Sequence, residues 1–232
     1  MKKIAFALLL PMLAANPCSF GQSNEIQDGI AIIKKNLSDS KESIKKYEWI
    51  ETTTTFVDGE QKSVKQNQCY YSVDGQLTKV ATGATTVEKK KGGLRGKIAE
   101  NKKEEMKEYI EAALKKIKGY IPPQAEKIQK IYADGKVGIQ ILEPGKKFRF
   151  DFPNYLEAGD KLSISLDKEH KLLKAYEINT FVEGPKDPVS LSIVLNTLPD
   201  GTTYASEIAF NSAAEKVKIV MKNSGFKVGA GH

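Results

Sequence analysis

The chain has 232 residues, 36 Lys+Arg against 29 Asp+Glu, a net charge of +7 and 40% hydrophobic residues, enough for one full-sized domain with a real core or at most two small ones. An aromatic share of 8% and nine prolines exclude disordered and collagen-like chains and leave a soluble globular protein. With His170 and His232 as the only imidazoles, a multi-histidine metal site is excluded and a Ser/His/Asp constellation has little to draw on.

Met1-Lys2-Lys3 is a short positive start, and Ile4 to Ala15 is apolar apart from Pro11. The run falls short of the roughly 20 residues a bilayer needs, so residues 1–21 read as a secretory signal peptide. Small residues at Ser19 and Gly21 place cleavage before Gln22 and the mature protein in the periplasm or outside the cell. The alternative, lipid attachment at Cys18, has Asn16-Pro17 where a small residue is needed. Loss of the leader removes Lys2 and Lys3, lowering the charge from +7 to +5. It also leaves Cys69 alone, which reads as a buried, inert thiol in a strand.

Ile26, Ile30, Ile33, Leu37 and Ile44 recur at three- and four-residue steps, with Ser40 as the polar turn of the stripe, and predict an amphipathic helix packed on its own domain. From Tyr47 the texture turns β-branched and aromatic up to Val57, followed by Asp58-Gly59. A second extended run, Cys69 to Val73, stops at Asp74-Gly75 before Leu77 to Val80. Two Asp-Gly steps between such runs predict an antiparallel meander. Residues 81–97 carry Lys89-Lys90-Lys91-Gly92-Gly93 and no periodicity, as expected of a flexible basic connector.

Residues 98–133 read as an inserted helical lid. Met106, Tyr109, Ile110, Ala113, Leu114 and Ile117 share one face of a helix that ends at Gly119. Pro122-Pro123 then opens a shorter helix with Ala125, Ile128, Ile131 and Tyr132 on its apolar face, closed by Asp134-Gly135. From Lys136 the period becomes two. Val137-Ile139-Ile141, Phe148-Phe150-Phe152, Leu162-Ile164-Leu166, Val189 to Leu195, Tyr204-Ser206-Ile208-Phe210 and Val217-Ile219-Met221 alternate with polar residues, and a long strand runs from Leu172 to Val182. One apolar and one wet face per strand mean antiparallel pairing with one face covered. The fold class predicted is α+β: a large curved antiparallel sheet of about nine or ten strands, an unclosed half-barrel, whose concave face three amphipathic helices cover.

This order of elements resembles the periplasmic lipoprotein carriers and their relatives, the LolA/LolB-like and RseB-like unclosed β-barrel family. Its carriers are the N-terminal helix, the strand led by Tyr47-Glu48-Trp49, the Asp-Gly hairpins, two inserted helices and the long antiparallel run. The resemblance covers residues 25–228 and implies that residues 22–232 form a single LolA-like domain, whose helix-closed concave face holds acyl chains or lipid-like groups. The carrier's barrel arginine, which ties the lid shut, has no counterpart. Of the two arginines, Arg149 falls on the polar side of Phe148-Arg149-Phe150 and Arg95 lies in the connector, which points to a divergent relative with another lipid or protein ligand.

No phosphate loop, dinucleotide fingerprint, zinc spacing or Gly-x-Ser-x-Gly elbow occurs. Glu104, Glu105, Glu108 and Glu111 alternate with Lys102, Lys103, Lys107 and Lys115 as on a solvated helix face. Neither catalytic residues, metal ligands nor a cofactor are assigned, and an enzyme is not expected. Nucleic acid is not expected either, because arginines for base reading are nearly absent. The expected function is that of a non-enzymatic monomer holding a lipid or an acylated protein, with an anionic membrane surface as a further partner. The candidate apolar lining is Trp49, Phe56, Ile110, Leu114, Ile117, Phe150, Ile164 and Ile193. The alternative is an envelope interaction or sensor module whose core is filled and holds no ligand.

Overall fold

The computed structural model describes residues 27–33, 35–36, 43–83 and 94–229, the stretch 94–100 as helical backbone alone. The leader, Cys18, Ile26, Leu37, Ser40 and residues 84–93 of the connector lie outside the described residues. Helix α1 is helical at residues 27–33 and 35–36. Ile44, the last residue of the predicted stripe, sits instead in a 3-10 turn, Ile44–Lys46, which leads into the first strand.

Strands β1 (Tyr47–Val57), β2 (Glu60–Tyr71) and β3 (Leu77–Ala81) form the first meander. Helices α2 (Leu94–Ile117) and α3 (Ala125–Ala133) follow, so residues 94–97, read above as connector, are helical. Then come β4 (Gly138–Glu143), β5 (Lys147–Pro153), β6 (Lys161–Asp167), β7 (Leu172–Phe181), β8 (Pro188–Thr197), β9 (Thr203–Ser212) and β10 (Val217–Val228). All ten belong to one antiparallel sheet ordered β3-β2-β1-β10-β9-β8-β7-β6-β5-β4. The predicted half-barrel is what forms, with β3 and β4 left as its edges. A twist of about 20° per strand pair carries ten strands through roughly half a turn, so the sheet wraps without closing.

Only the β1–β10 pairing breaks sequential order, and it joins the first meander to the last strand over residues 47–57 and 217–228. A consequence is that the two edge strands are consecutive in sequence. The α2–α3 insertion that links them must cross the open side of the sheet. Turn chemistry sets the strand ends as expected: Asp58 and Gly59 both take positive φ, 53° and 79°, as a two-residue hairpin needs.

The concave face under β5 to β9 is solidly filled. Phe148, Phe150, Phe152, Leu162, Ile164, Leu166, Leu173, Ile178, Val189, Leu191, Ile193 and Phe210 are buried against Ile30, Ile32 and Ile33 of α1, Ala113 and Ile117 of α2, and Ile128 and Ile131 of α3. Gly29 lies on the Phe150 ring so closely that a Cβ there would meet its Cζ at 2.5 Å. Asn36 ties α1 to the β6–β7 turn by donating to the Lys171 carbonyl at 2.8 Å.

Register departs from the simple alternation at one telling place. A bulge between β8 and β9 pairs Leu195 with Ala205 and leaves Ser206 as the extra residue. The inward position is therefore Ala205, which packs against the core, and Tyr204 instead meets Phe226 in a tilted ring contact, with centroids 4.2 Å apart. A period-two reading cannot see an inserted residue, because a bulge exchanges faces without changing composition.

Candidate functional site

The core fills only part of the concave surface. Strand alternation directs Trp49, Glu51, Thr53, Thr55 and Val57 of β1 inward, and their partners on β2 are Cys69, Asn67, Lys65 and Ser63 for the first four. This wall is largely polar, and it is not sealed. Between it and the first half of α2 lies a groove of about 1110 Å³. Val57, Met106, Tyr109, Ile110 and Val217 supply its apolar surface, and Thr55, Ser63, Lys65, Lys102 and Lys103 lie among its polar residues.

Alpha-helical spacing explains the two faces of α2. Met106, Ile110, Ala113 and Ile117 form one stripe, and the small Ala113, fully buried, lets the helix approach the sheet closely. Leu114 lies one step round from Ala113 and is 38% exposed. The helix is held by Tyr109, whose hydroxyl donates to Asp187 Oδ1 at 2.6 Å and lies 2.9 Å from Ser212 Oγ. Burial, then the bond to Asp187, raises the Tyr109 hydroxyl to about 12, so it remains a donor throughout the physiological range. Further along, Lys116 pairs with Glu157 at 2.7 Å and lies over the Phe181 ring.

Tyr109→Phe should loosen this tether. We expect a loss of about 1 kcal/mol and faster amide hydrogen exchange in α2, with β8 and β9 unchanged. Equal protection in the variant would mean that the tether does not hold the helix.

The sequence-predicted lining residues divide into five groups. Ile110 lines the groove. Ile117, Phe150, Ile164 and Ile193 are in the filled core. Leu114 is on the solvent side of α2. Trp49 faces the concave side at the other end of β1, stacked on Phe226 with centroids 5.6 Å apart and its indole N–H donating to Asn223. Phe56 points to the opposite face of the sheet by alternation, where it lines a separate hollow of about 700 Å³ with Asn211 and Lys218. That hollow opens over turn residues such as Asp58, Gly59 and Ala213 and lacks an apolar floor from a helix.

Sequence reasoning missed Val57, Met106, Tyr109, Val217, Ser63 and Lys65 as a set. The missing signal was β2 itself, since Glu60 to Gln68 shows no alternation and does not read as a strand. Its concave side is polar because no helix presses an apolar face on it.

Next to Trp49, Glu51 is 4% exposed and is compensated by Lys79, 2.6 Å from Oε2, with Asn67 donating to Oε1. Cys69 is fully buried between them, and burial, followed by the Glu51 charge, pushes its thiol up. A raised thiol is a poor nucleophile. Arg149 is on the outer face, paired with Asp151 at 3.1 Å and with Glu177 at 3.9 Å. Among the described residues, no group of three or more His, Cys, Asp or Glu side chains is placed to hold a metal, and no helix is long and apolar enough to cross a membrane.

Architecture and groove together define an unclosed antiparallel half-barrel with a helical insertion across its mouth. No protein-family profile matches the sequence, and no curated protein does. Solved structures similar to the chain include a DUF1329 family protein from Desulfovibrio piger, 9% identical with a TM-score of 0.41 over 89% of this chain and 94% of that one. A domain named for outer membrane lipoprotein sorting, from Vibrio parahaemolyticus, is 12% identical with the same TM-score and coverage. A LolA superfamily protein from Nitrosomonas europaea is 10% identical, with a TM-score of 0.37 over 86% of this chain and 92% of that one.

Proposed function

We propose that the protein is an exported, non-catalytic binding protein that holds an acyl chain, of a lipid or of an acylated protein, in the groove beneath α2. The observation that carries this reading is the groove's place: it is a stretch of concave face left unsealed, and apolar side chains from helix and sheet line it. Its volume of about 1110 Å³ lies just above the range of small-molecule sites, roughly 300–1,000 Å³. Each methylene buried there contributes about 0.8 kcal/mol. Export rests on residues 1–21, and N-terminal sequencing of the mature protein should begin at Gln22; an acylated Cys18 would replace the soluble carrier with an anchored one.

The binding test is a fluorescent fatty-acid analogue added to the purified protein. Saturable binding is expected, and Ile110→Asp should weaken it by at least tenfold, because a carboxylate in an apolar groove must be desolvated by the chain. Circular dichroism of the variant should match the parent protein, since Ile110 is only partly buried. Native mass spectrometry of protein taken from its own cell envelope should carry the mass of a lipid.

A second reading has its own observation. The two edge strands expose Leu77 and Val80 on β3 and Ile141 and Leu142 on β4, and an open edge is a template for another chain. If no apolar probe binds, this interaction reading takes the place of the first.

A further inference from the structure

We infer that the ligand of the α2 groove is an anionic amphiphile, with a carboxylate or phosphate head held between Lys65 on the sheet and Lys102 and Lys103 on the helix. The inference rests on the acyl-binding reading above and adds the chemistry of the head. Its origin is a change of character along the groove. The stripe of α2 that faces the sheet is apolar from Met106 to Ile117. One turn earlier, at three- and four-residue spacing, the same stripe continues as Lys103 and Lys102.

The direction of α2 fixes where these lysines lie. Tyr109 reaches Asp187 and Ser212, at the start of β8 and the end of β9, and Lys116 reaches Glu157 and Phe181, at the end of β7. Residues before Tyr109 therefore pass over β10, β1 and β2 in the order of the sheet. There the facing wall changes in the same sense, from Val57 and Val217 to Ser63 and Lys65. Alternation directs Lys65 inward opposite Thr53, and all three lysines line the groove.

Lys65, Lys102 and Lys103 have no ion-pair partner among the described residues. The other charges of the groove are accounted for differently. Asp58 lies 3.5 Å from Lys216, Lys62 pairs with Glu60, and Lys107 is bonded to Glu104 with Glu111 and Glu108 also near it. Glu111 and Glu215 line the groove on the side of Tyr109 and Val217, and among the described residues Glu105 is the one lining carboxylate beside the lysine end. Three cations with a single lining carboxylate among the described residues beside them repel one another and focus a positive potential where an anion would relieve it. The apolar floor begins within a helical turn of them. A chain laid on Met106 and Ile110 would bring its head to the lysines.

The test compares pyrene-labelled hexadecanoic acid with its methyl ester, which shares the chain and has an uncharged head, on the purified protein at low and high salt. At low salt the acid should bind about tenfold more tightly than the ester, and the advantage should shrink as salt screens it over about 10 Å at 0.1 M. The triple variant Lys65→Gln, Lys102→Gln, Lys103→Gln should bring the acid down to the affinity of the ester. Millimolar inorganic phosphate or acetate should not displace the acid, since neither carries a chain; displacement by phosphate would make the lysines a plain anion site and overturn the amphiphile. Equal binding of acid and ester by the unaltered protein, or an advantage that survives in the triple variant, would overturn the head-group assignment and leave the acyl groove standing. Binding of neither probe would remove the groove reading and this inference with it.

Discussion

Asp160→Ala is expected to lower the unfolding free energy by on the order of 4 kcal/mol, because four donors converge on one carboxylate. Asp160 is 2% exposed. Its oxygens accept from the backbone amides of Tyr155 at 2.5 Å, Leu156 at 2.9 Å and Glu157 at 2.8 Å, and from the Tyr120 hydroxyl at 2.5 Å. The amides belong to the loop between β5 and β6, and Tyr120 follows α2, so one side chain pins the helical insertion to the sheet. Removing it leaves three amides of the loop without their acceptor and takes from the buried Tyr120 hydroxyl its charged partner. The Tyr120 hydroxyl oxygen also lies 3.0 Å from Thr180 Oγ1 and, being raised well above its usual range by burial and then by Asp160, stays protonated and does not share the carboxylate's charge. Urea denaturation measures the loss, and Asp160→Asn, which keeps one acceptor oxygen, should lose less. A drop below about 1 kcal/mol would mean that the loop and helix hold each other without the carboxylate.

The half-barrel was legible because its evidence is repeated. Each strand from β4 to β10 carries its own alternation, and turns such as Asp58-Gly59 and Asp74-Gly75 fall where the backbone needs left-handed residues: Gly59 and Gly75 take φ of 79° and 77°. Phase errors such as the β9 bulge move individual side chains and leave the architecture alone. The start of α2 at Leu94 was hidden by Gly92, Gly93 and Gly96, which weaken helix propensity.

The groove was less legible for a physical reason. A sequence marks what is buried by being apolar, and a filled core and an open pocket are apolar alike. Phe150 and Ile110 carry the same signal, yet one is 1% exposed under α1 and the other lines the groove. What separates them is the roll of α2, set by Ala113, and the polar wall of β1 and β2, which reads as unremarkable surface until pairing with β10 turns it inward. Thr53, Thr55, Ser63 and Lys65 on a concave face are the recoverable sign: a strand that curls inward and remains polar has no helix against it.

Phe150→Ala tests the boundary between core and groove. The ring is enclosed by Phe148 and Phe152 along its strand, by Ile139 and Ile164 as cross-strand partners, and by Gly29, whose lack of a side chain lets α1 rest on it. Its removal creates a void that rigid strands on both sides cannot close, and the expected loss is about 3–5 kcal/mol. Leu114→Ala should cost about 1 kcal/mol, well below the loss at Phe150, because the Leu114 side chain is 38% exposed on the native helix. Both losses are read from the same denaturation curves. The two substitutions remove apolar groups of similar promise in the sequence, so their ratio reports packing and not hydrophobicity. A small loss for Phe150→Ala, together with tighter binding of a fatty-acid probe, would move the ligand from the α2 groove to the space beneath α1. A large loss with no gain in binding keeps that half of the barrel as the support against which α2 leaves its groove open.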